Sequence, residues 1–435
     1  MTRGADFALF GRIHVKSHHL GITVLGLLAA AGCGSSGSTT TDGGTTDSGG
    51  PIDSGTPTDT GTPSDGGSDV ASSPLGFTPS NIDVSGFDLT TLGDVDITTN
   101  CGISTSEVFG TSGYGACGVN APMVQFAIQM QSNGQKIGVW IARSWRIEPT
   151  ATLTINGAPF DNGVYPLVIV ATNTIDILGH INGGTSGNNP VGGGYPGSGM
   201  AMGSGPGAGG AANTAGGTNA GGGGSYCGIG GMGAALTGGM TAPGGPMYGM
   251  GKIVPLVAGS SGGGGTLGAG GGGPAIQLVA GKSITVEAMA SVNVGGGGGS
   301  FGYGGGGGSG GALLLESPTV TIAGAIAANG GGGGSCGTSN SGADGLASNM
   351  PALGGTANVM GSPVQFGGNG SAGATTKGSD GIAYNTGPNP ISCTGGGGGG
   401  AGYIRINTTT GMANTTGGTI SPDLTTSCAS QGMLH

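Results

Sequence analysis

Beyond residue 135, short aliphatic runs alternate with long glycine tracts, and three of the runs share one pattern. Runs 167–181, 276–286 and 313–326 each hold two segments in which apolar and polar residues alternate, separated by a corner of small residues. A period of two is that of a β-strand with one face turned to a core. Aligned, the runs place Leu167, Ile276 and Leu313 in one apolar row, which Ile404 joins from segment 403–406. Ile169, Leu278, Leu315 and Ile406 form a second row; Ile175, Ile284 and Val320 a third; Ile177, Val286 and Ile322 a fourth. Asp176, Thr285, Glu287 and Thr321 are the outward neighbours. Segments 139–147 and 152–155 look like an earlier, more aromatic version.

Strand, corner, strand and turn, recurring with like residues at like positions, predict an all-β fold. The pattern is that of a parallel β-solenoid, in which each coil covers the apolar row of its neighbour. A β-sandwich uses similar alternating strands and is the alternative, but it gives no reason for the same corner to recur. The spacing between runs requires glycine-rich excursions over roughly 183–274, 295–310 and 328–400. Ordering a residue costs ~1–2 kcal/mol of backbone entropy, and glycine is the worst case. A buried aliphatic returns only ~1.5–3 kcal/mol, so packing between coils cannot by itself hold such tracts. They are either mobile or packed as extended polyproline-II-like strands, where only glycine permits close backbone contact.

The first 135 residues read differently. Arg3, Arg12 and Lys16 precede an apolar run, 21–32, that ends at Cys33. Twelve residues rise about 18 Å as a helix, short of a ~30 Å hydrocarbon core. Residues 1–32 therefore read as an export signal. Its Leu28-Ala-Ala-Ala-Gly-Cys33 motif resembles a bacterial lipoprotein signal, which implies lipidation of Cys33 and cleavage before it. Gly34 stands where enterobacterial lipoproteins kept at the inner membrane have Asp, so the resemblance implies the outer membrane or cell surface of a Gram-negative bacterium. Residues 33–74 hold the lipidated cysteine and a Ser, Thr, Gly, Asp and Pro tether too polar to bury a core. Six aspartates recur along it and repel one another; with one carboxylate per unit it lacks the converging ligands of a calcium loop. Residues 75–135, with Cys101 and Cys117, are expected to cap a glycine-rich solenoid over 136–435.

Composition narrows the function. The 435 residues include 111 glycines, 20 acids and only 10 Lys and Arg, for a net charge of -10. So few cations cannot track a phosphate backbone, which excludes a nucleic-acid binder. No Gly-X-Y period marks a collagen helix. With Cys33 lipidated, six cysteines remain, and an exported chain reads as three disulfides in one of fifteen connectivities. Cys101–Cys117 closes the shortest loop, Cys336–Cys393 would staple one glycine excursion, and Cys227–Cys428 is left. No Cys-His spacing suits zinc, and no cofactor is called for.

Within residues 33–434 the one histidine is His180, whose isoleucine neighbours face the core and turn it outward. Gly281-Lys282-Ser283 lacks the upstream glycine of a phosphate loop. Met200, Met202, Met232, Met240, Met247 and Met250 suggest apolar filler between glycine strands more than a soft-metal site. Asp161, Asp176, Arg143, Arg146 and Glu148 are the pieces from which a β-helical polysaccharide-degrading enzyme would be built, and nothing in their spacing fixes a catalytic separation.

Segments 223–231, 257–263, 315–324 and 404–410 resemble uncharacterised glycine-rich lipoproteins of myxobacteria and relatives, a resemblance that covers most of residues 75–435 and implies no known activity. The sequence therefore points to a cell-surface lipoprotein with a structural or adhesive role and no catalysis. Its expected partners are a membrane, through the lipid, and surface polysaccharide or other cell-surface components. The alternative is a polysaccharide-binding or polysaccharide-degrading β-helical protein.

Overall fold

A computed structural model describes residues 73–106, 117, 123–156, 164–212, 219–337, 340–385 and 393–435. The export signal, Cys33, nearly all of the tether and Asp161 lie outside them. Among the described residues every regular element is a strand. The first are β1 (Asp94–Ile97), β2 (Cys101–Ser104) and β3 (Gln125–Met130). Sets of three follow: β4 (Lys136–Ala142), β5 (Ser144–Ile147) and β6 (Thr152–Asn156), then β7 (Leu167–Ala171), β8 (Thr174–Ile177) and β9 (His180–Asn182). Next come β10 (Ala275–Ala280), β11 (Ser283–Val286) and β12 (Ser291–Asn293), then β13 (Ala312–Glu316), β14 (Thr319–Ile322) and β15 (Ala325–Ala327). Two small hairpins, β16 (Thr356–Val359) with β17 (Ser362–Gln365) and β18 (Ala383–Tyr384) with β19 (Cys393–Thr394), interrupt the series. It closes with β20 (Tyr403–Thr408), β21 (Thr419–Ser421) and β22 (Ala429–Met433).

The members of each set enter three different sheets. Strands β1, β5, β8, β11 and β14 form one; β2, β6, β9, β12, β15 and β21 a second; β22, β20, β13, β10, β7, β4 and β3 a third, each in that order. Pairing in all three is parallel except where β3 meets β4. Registers place Leu167 beside Ile276, Ile276 beside Leu313 and Leu313 beside Ile404. Ile175, Ile284 and Val320 stack likewise, as do Ile177, Val286 and Ile322. These rows are buried in one apolar cluster with Trp145, Leu153 and Ile181.

Sequence explains which faces are covered. In β8, β11 and β14 buried and more exposed residues alternate, so one face meets water. Strands β7, β10 and β13 are buried at every position and contain nearly continuous apolar runs, as parallel strands covered on both sides do. Their second face is covered by Leu75, Phe77, Ile82, Val84 and Leu92 and by Tyr226, Ile253 and Leu256.

Among the described residues the glycine excursions are ordered. An isolated polyproline-II-like strand has three residues per turn and no internal hydrogen bonds, so its amides must find partners on neighbouring strands. Tract 304–311 shows how. Gly306 and Ser309 donate to the carbonyls of Gly263 and Ser260, Gly307 and Gly310 to Gly397 and Gly400, and Gly308 and Gly311 to Gly297 and Val294, at 2.8–3.0 Å. Every third amide thus reaches the same neighbour. Three further tracts donate in return: Gly270 and Gly273 to the carbonyls of Gly306 and Ser309, Gly221 and Gly224 to Gly304 and Gly307, Gly334 and Gly331 to Gly305 and Gly308. Tract 394–402 repeats the scheme, with Gly395, Gly398 and Ala401 donating to Ile382, Ser379 and Thr376. A β-carbon on Gly308 would fall on the carbonyl oxygen of Gly271, and one on Gly399 on that of Gly308. At those positions only glycine lets the neighbouring strands approach so closely.

Of the two states the sequence allowed for these tracts, packing is the one adopted, and hydrogen bonds between tracts supply what packing between strand sets cannot. The methionines differ from expectation. Met200, Met202, Met232, Met240, Met247 and Met250 are all exposed, Met240 by 80%. The closeness of the glycine strands is the reason: buried tract positions such as Ser309, Ser260 and Ala401 admit a small side chain, and a gap that small cannot take methionine.

At the sheet end of the bundle, Tyr226 stacks on Tyr248 with ring centroids 4.5 Å apart, and Tyr403 meets Tyr226 edge-on at 4.9 Å. Their hydroxyls are satisfied by the carbonyls of Val257, from Tyr226 at 2.6 Å, and Ala258, from Tyr248 at 2.5 Å. Disulfides join Cys101 to Cys117, Cys227 to Cys428 and Cys336 to Cys393. Cys227–Cys428 ties the bundle to the residue just before β22.

Candidate functional site

Residues singled out in the sequence take their places on the strands in two groups, each with partners the sequence did not single out. In the first, Arg143 Nε donates to Asp94 Oδ1 at 2.8 Å, which holds the Asp94 carboxyl below and the guanidinium above their ordinary values. Arg146 Nε donates to Glu148 Oε1 at 2.6 Å, and register places Asp96 and Asp176 on either side of Arg146. Hydrogen bonding to Glu148, then the field of Glu148, Asp176 and Asp96, raises the Arg146 guanidinium. Four carboxylates and two guanidinium groups thus share one strip of sheet, whose charge the two arginines offset only in part. Asp161, the remaining member of that set, lies outside the described residues.

In the second, His180 Nδ1 lies 2.9 Å from Ser291 Oγ. Along that row Thr152, His180, Ser291, Ala325 and Thr419 are in register, so the row supplies hydroxyls and no carboxylate to orient the imidazole. The pairing across 111 residues was not legible in the sequence. Gly281 and Lys282 form the corner between β10 and β11.

A recess of about 600 Å³ beside the last strands is lined by Asn349, Asn369, Thr375, Ser379, Thr419 and Asp423. The Asp423 carboxyl is held low by the backbone N–H and side chain of Thr425. Amides, hydroxyls and one carboxylate around an open recess suit a hydroxylated ligand.

The far end of the glycine bundle carries the more distinctive surface. Tract residues 274, 294, 311, 328 and 402 adjoin β10, β12, β13, β15 and β20, so the opposite tract ends point away from the sheets. Hydrogen bonds gather those ends: Met200 N–H to Gly265 O at 2.9 Å, Thr266 N–H to Gly302 O at 3.1 Å, Gly221 N–H to Gly304 O at 2.9 Å. Cys336–Cys393 joins two of the connections there. Among the described residues, segments 199–202, 235–241, 265–268, 300–304, 335–337, 356–366, 382–385 and 393–394 make up this end, and none contains Asp, Glu, Lys, Arg or His. Exposed on it are Met200, Met202, Met240, Leu267, Tyr303, Met360, Ile382 and Tyr384. Loops on a rigid scaffold, free of charge and bearing methionine and tyrosine, have the composition of an interface core.

The chain matches no protein-family model, and no curated protein or solved structure is detectably similar to it.

Proposed function

We propose that this protein is a cell-surface lipoprotein with a structural or adhesive role, held at the outer membrane of a Gram-negative bacterium by a lipid on Cys33. Residues 34–74 act as the tether, and the body is a β-solenoid in which each set of three strands is one coil. The in-register stacking of the sets supports that architecture. The observation that carries the function is the uncharged, apolar loop end on a hydrogen-bonded glycine bundle, away from the sheets. Such a bundle is a stiff spacer and its loops a contact surface. Surface polysaccharide is the partner we assign to the recess at Asp423.

Anchoring and adhesion are tested together. Fatty-acid labelling of cells making the wild type and Cys33→Ala should label only the former. Cells lacking the protein, or carrying Cys33→Ala, should lose attachment to neighbouring cells or to matrix. Labelling of the variant, or undiminished attachment without the protein, would refute the assignment.

A further inference from the structure

Seven Lys and Arg lie among the described residues, and most have a partner of their own. Arg143, Arg146 and Lys377 are in ion pairs, and the Lys136 ammonium lies over the Tyr165 ring. Lys252, Lys282 and Arg405 are in no ion pair among the described residues, and two of these three meet. Lys252 and Arg405 line one recess of about 330 Å³ on the outer face of the seven-stranded sheet, and no Asp or Glu lines it with them. Arg405 is fixed before any ligand arrives. Its Nε donates to Asn407 Oδ1 at 2.7 Å, and its Nη1 to Ser430 Oγ at 3.2 Å and Gln431 O at 2.9 Å. Gly432 makes room for the guanidinium, since a β-carbon there would fall on Nη2. Asn407 is itself oriented by donating Nδ2 to Glu316. Nη2 is left without an acceptor among the described residues. Burial holds the guanidinium below its ordinary value, opposed by the field of Glu316. A cation that has lost water without gaining an anion in contact gains most from an incoming carboxylate. Across the recess Lys252 is exposed, and its neighbour Ile253 is buried and accepts from Asn81 Nδ2 at 3.0 Å, which holds Lys252 at the rim.

We propose that this recess binds the carboxylate of an acidic sugar, a uronate unit of surface polysaccharide; the inference rests on polysaccharide being the partner and adds a contact point separate from the Asp423 recess. Arg405 takes the carboxylate through Nη2 and Lys252 takes it as a point charge. The same walls carry the hydroxyl oxygens of Thr78 and Ser80, which accept from sugar hydroxyls, and Pro79 and Val254, which give the ring an apolar surface. Glu316, buried behind Ser80 and Asn407, offsets part of the positive charge, so a single negative charge is matched better than a phosphate dianion. The recess is at the small end for ligand sites, which suits one sugar unit.

The test is titration calorimetry of the full chain carrying Cys33→Ser, which removes the lipid, with trigalacturonate, its methyl ester, triglutamate and inorganic phosphate as separate probes. We expect saturable binding of trigalacturonate above the other three, weakening as salt rises. Lys252→Ala should lower that affinity at least ~10-fold and leave the thermal unfolding midpoint in place, since the side chain has no ion pair to lose. Arg405→Lys keeps the charge but loses the planar fork and should also lower it. Lys282→Ala removes the same charge at the corner between β10 and β11 and should change nothing. Equal binding of triglutamate or phosphate, or equal losses from Lys252→Ala and Lys282→Ala, would overturn the proposal. Binding of the methyl ester as tightly as the acid, or trigalacturonate binding that ignores Lys252→Ala, would refute this site and leave polysaccharide as the partner. Binding of no sugar would refute both. Binding lost with Lys252→Ala, on cells that attach equally well without the protein, would keep the site and refute the adhesive role.

Discussion

Glu316 and Ser80, 236 residues apart, are joined by two hydrogen bonds: the Ser80 backbone N–H reaches Oε2 at 2.9 Å and its hydroxyl reaches Oε1 at 2.7 Å. Gln277 Nε2 donates to Oε2 at 2.8 Å and Asn407 Nδ2 to Oε1 at 3.0 Å. A carboxylate buried on the outer face of the seven-stranded sheet therefore has four donors, two of them from the segment that covers that face. Glu316→Leu strands those donors and should cost about 3–5 kcal/mol in urea unfolding, with Ser80→Ala costing about 1–2. Near-zero effects from both would mean that the covering segment docks through its apolar residues alone.

The strand registers make a sharper prediction. Leu315 is fully buried between Leu278 and Ile406, whereas Thr321 faces out from β14. Leu315→Asp places a charge in the core and should remove more than about 4 kcal/mol, enough to prevent folding. Thr321→Asp should stay within about 0.5 kcal/mol. Circular dichroism melts of the two variants decide it.

The glycine lattice should be intolerant at its centre and permissive at its margin. Gly308→Ala forces the 304–311 tract from its neighbour and should destabilise by about 1–3 kcal/mol. Gly251 has open space where a β-carbon would stand, so Gly251→Ala should be close to neutral. Amide exchange supplies an independent check: Gly306, Gly307, Gly308 and Gly310 should exchange among the slowest in the protein, since all are paired inside the bundle. Fast exchange there would contradict an ordered lattice.

Acid should weaken the fold through a small set of carboxylates. Asp94, lowered chiefly by its hydrogen bond from Arg143, and Asp423, lowered chiefly by the Thr425 backbone, have folded-state values below those of the unfolded chain. Stability from such groups is present above the unfolded value of about 3.9 and is lost as pH falls through the folded one. The unfolding midpoint should therefore hold between about pH 5 and 8 and fall below about pH 4. Asp94→Asn should flatten part of that fall, and an unchanged acid limb would exclude the Arg143 pair as a contributor.

What the sequence determined by itself is the β-strand content and the apolar rows. Alternation is local, and once Leu167, Ile276, Leu313 and Ile404 align at their corners, a slip by one residue would turn every buried side chain to water. That pressure made Ile175, Ile284 and Val320 recognisable as one row before any strand was paired. The glycine tracts carry no such information. A run of identical residues without side chains has no register of its own, so the partners of Gly307 at Gly397 and Gly224 are set by where the strands deliver the tract ends and by the three-residue turn of each tract. Tertiary structure also decided the fate of the methionines, because only the packed lattice shows how little room is left between its strands, enough for Ser309 or Ala401 and not for a long side chain. It alone brought His180 to Ser291 and Ser80 to Glu316, contacts made by side chains far apart in the chain and silent in any local pattern. And it gathered uncharged connections scattered from 199 to 394 onto one end, since alternating outward and returning tracts put every second turn on the same side.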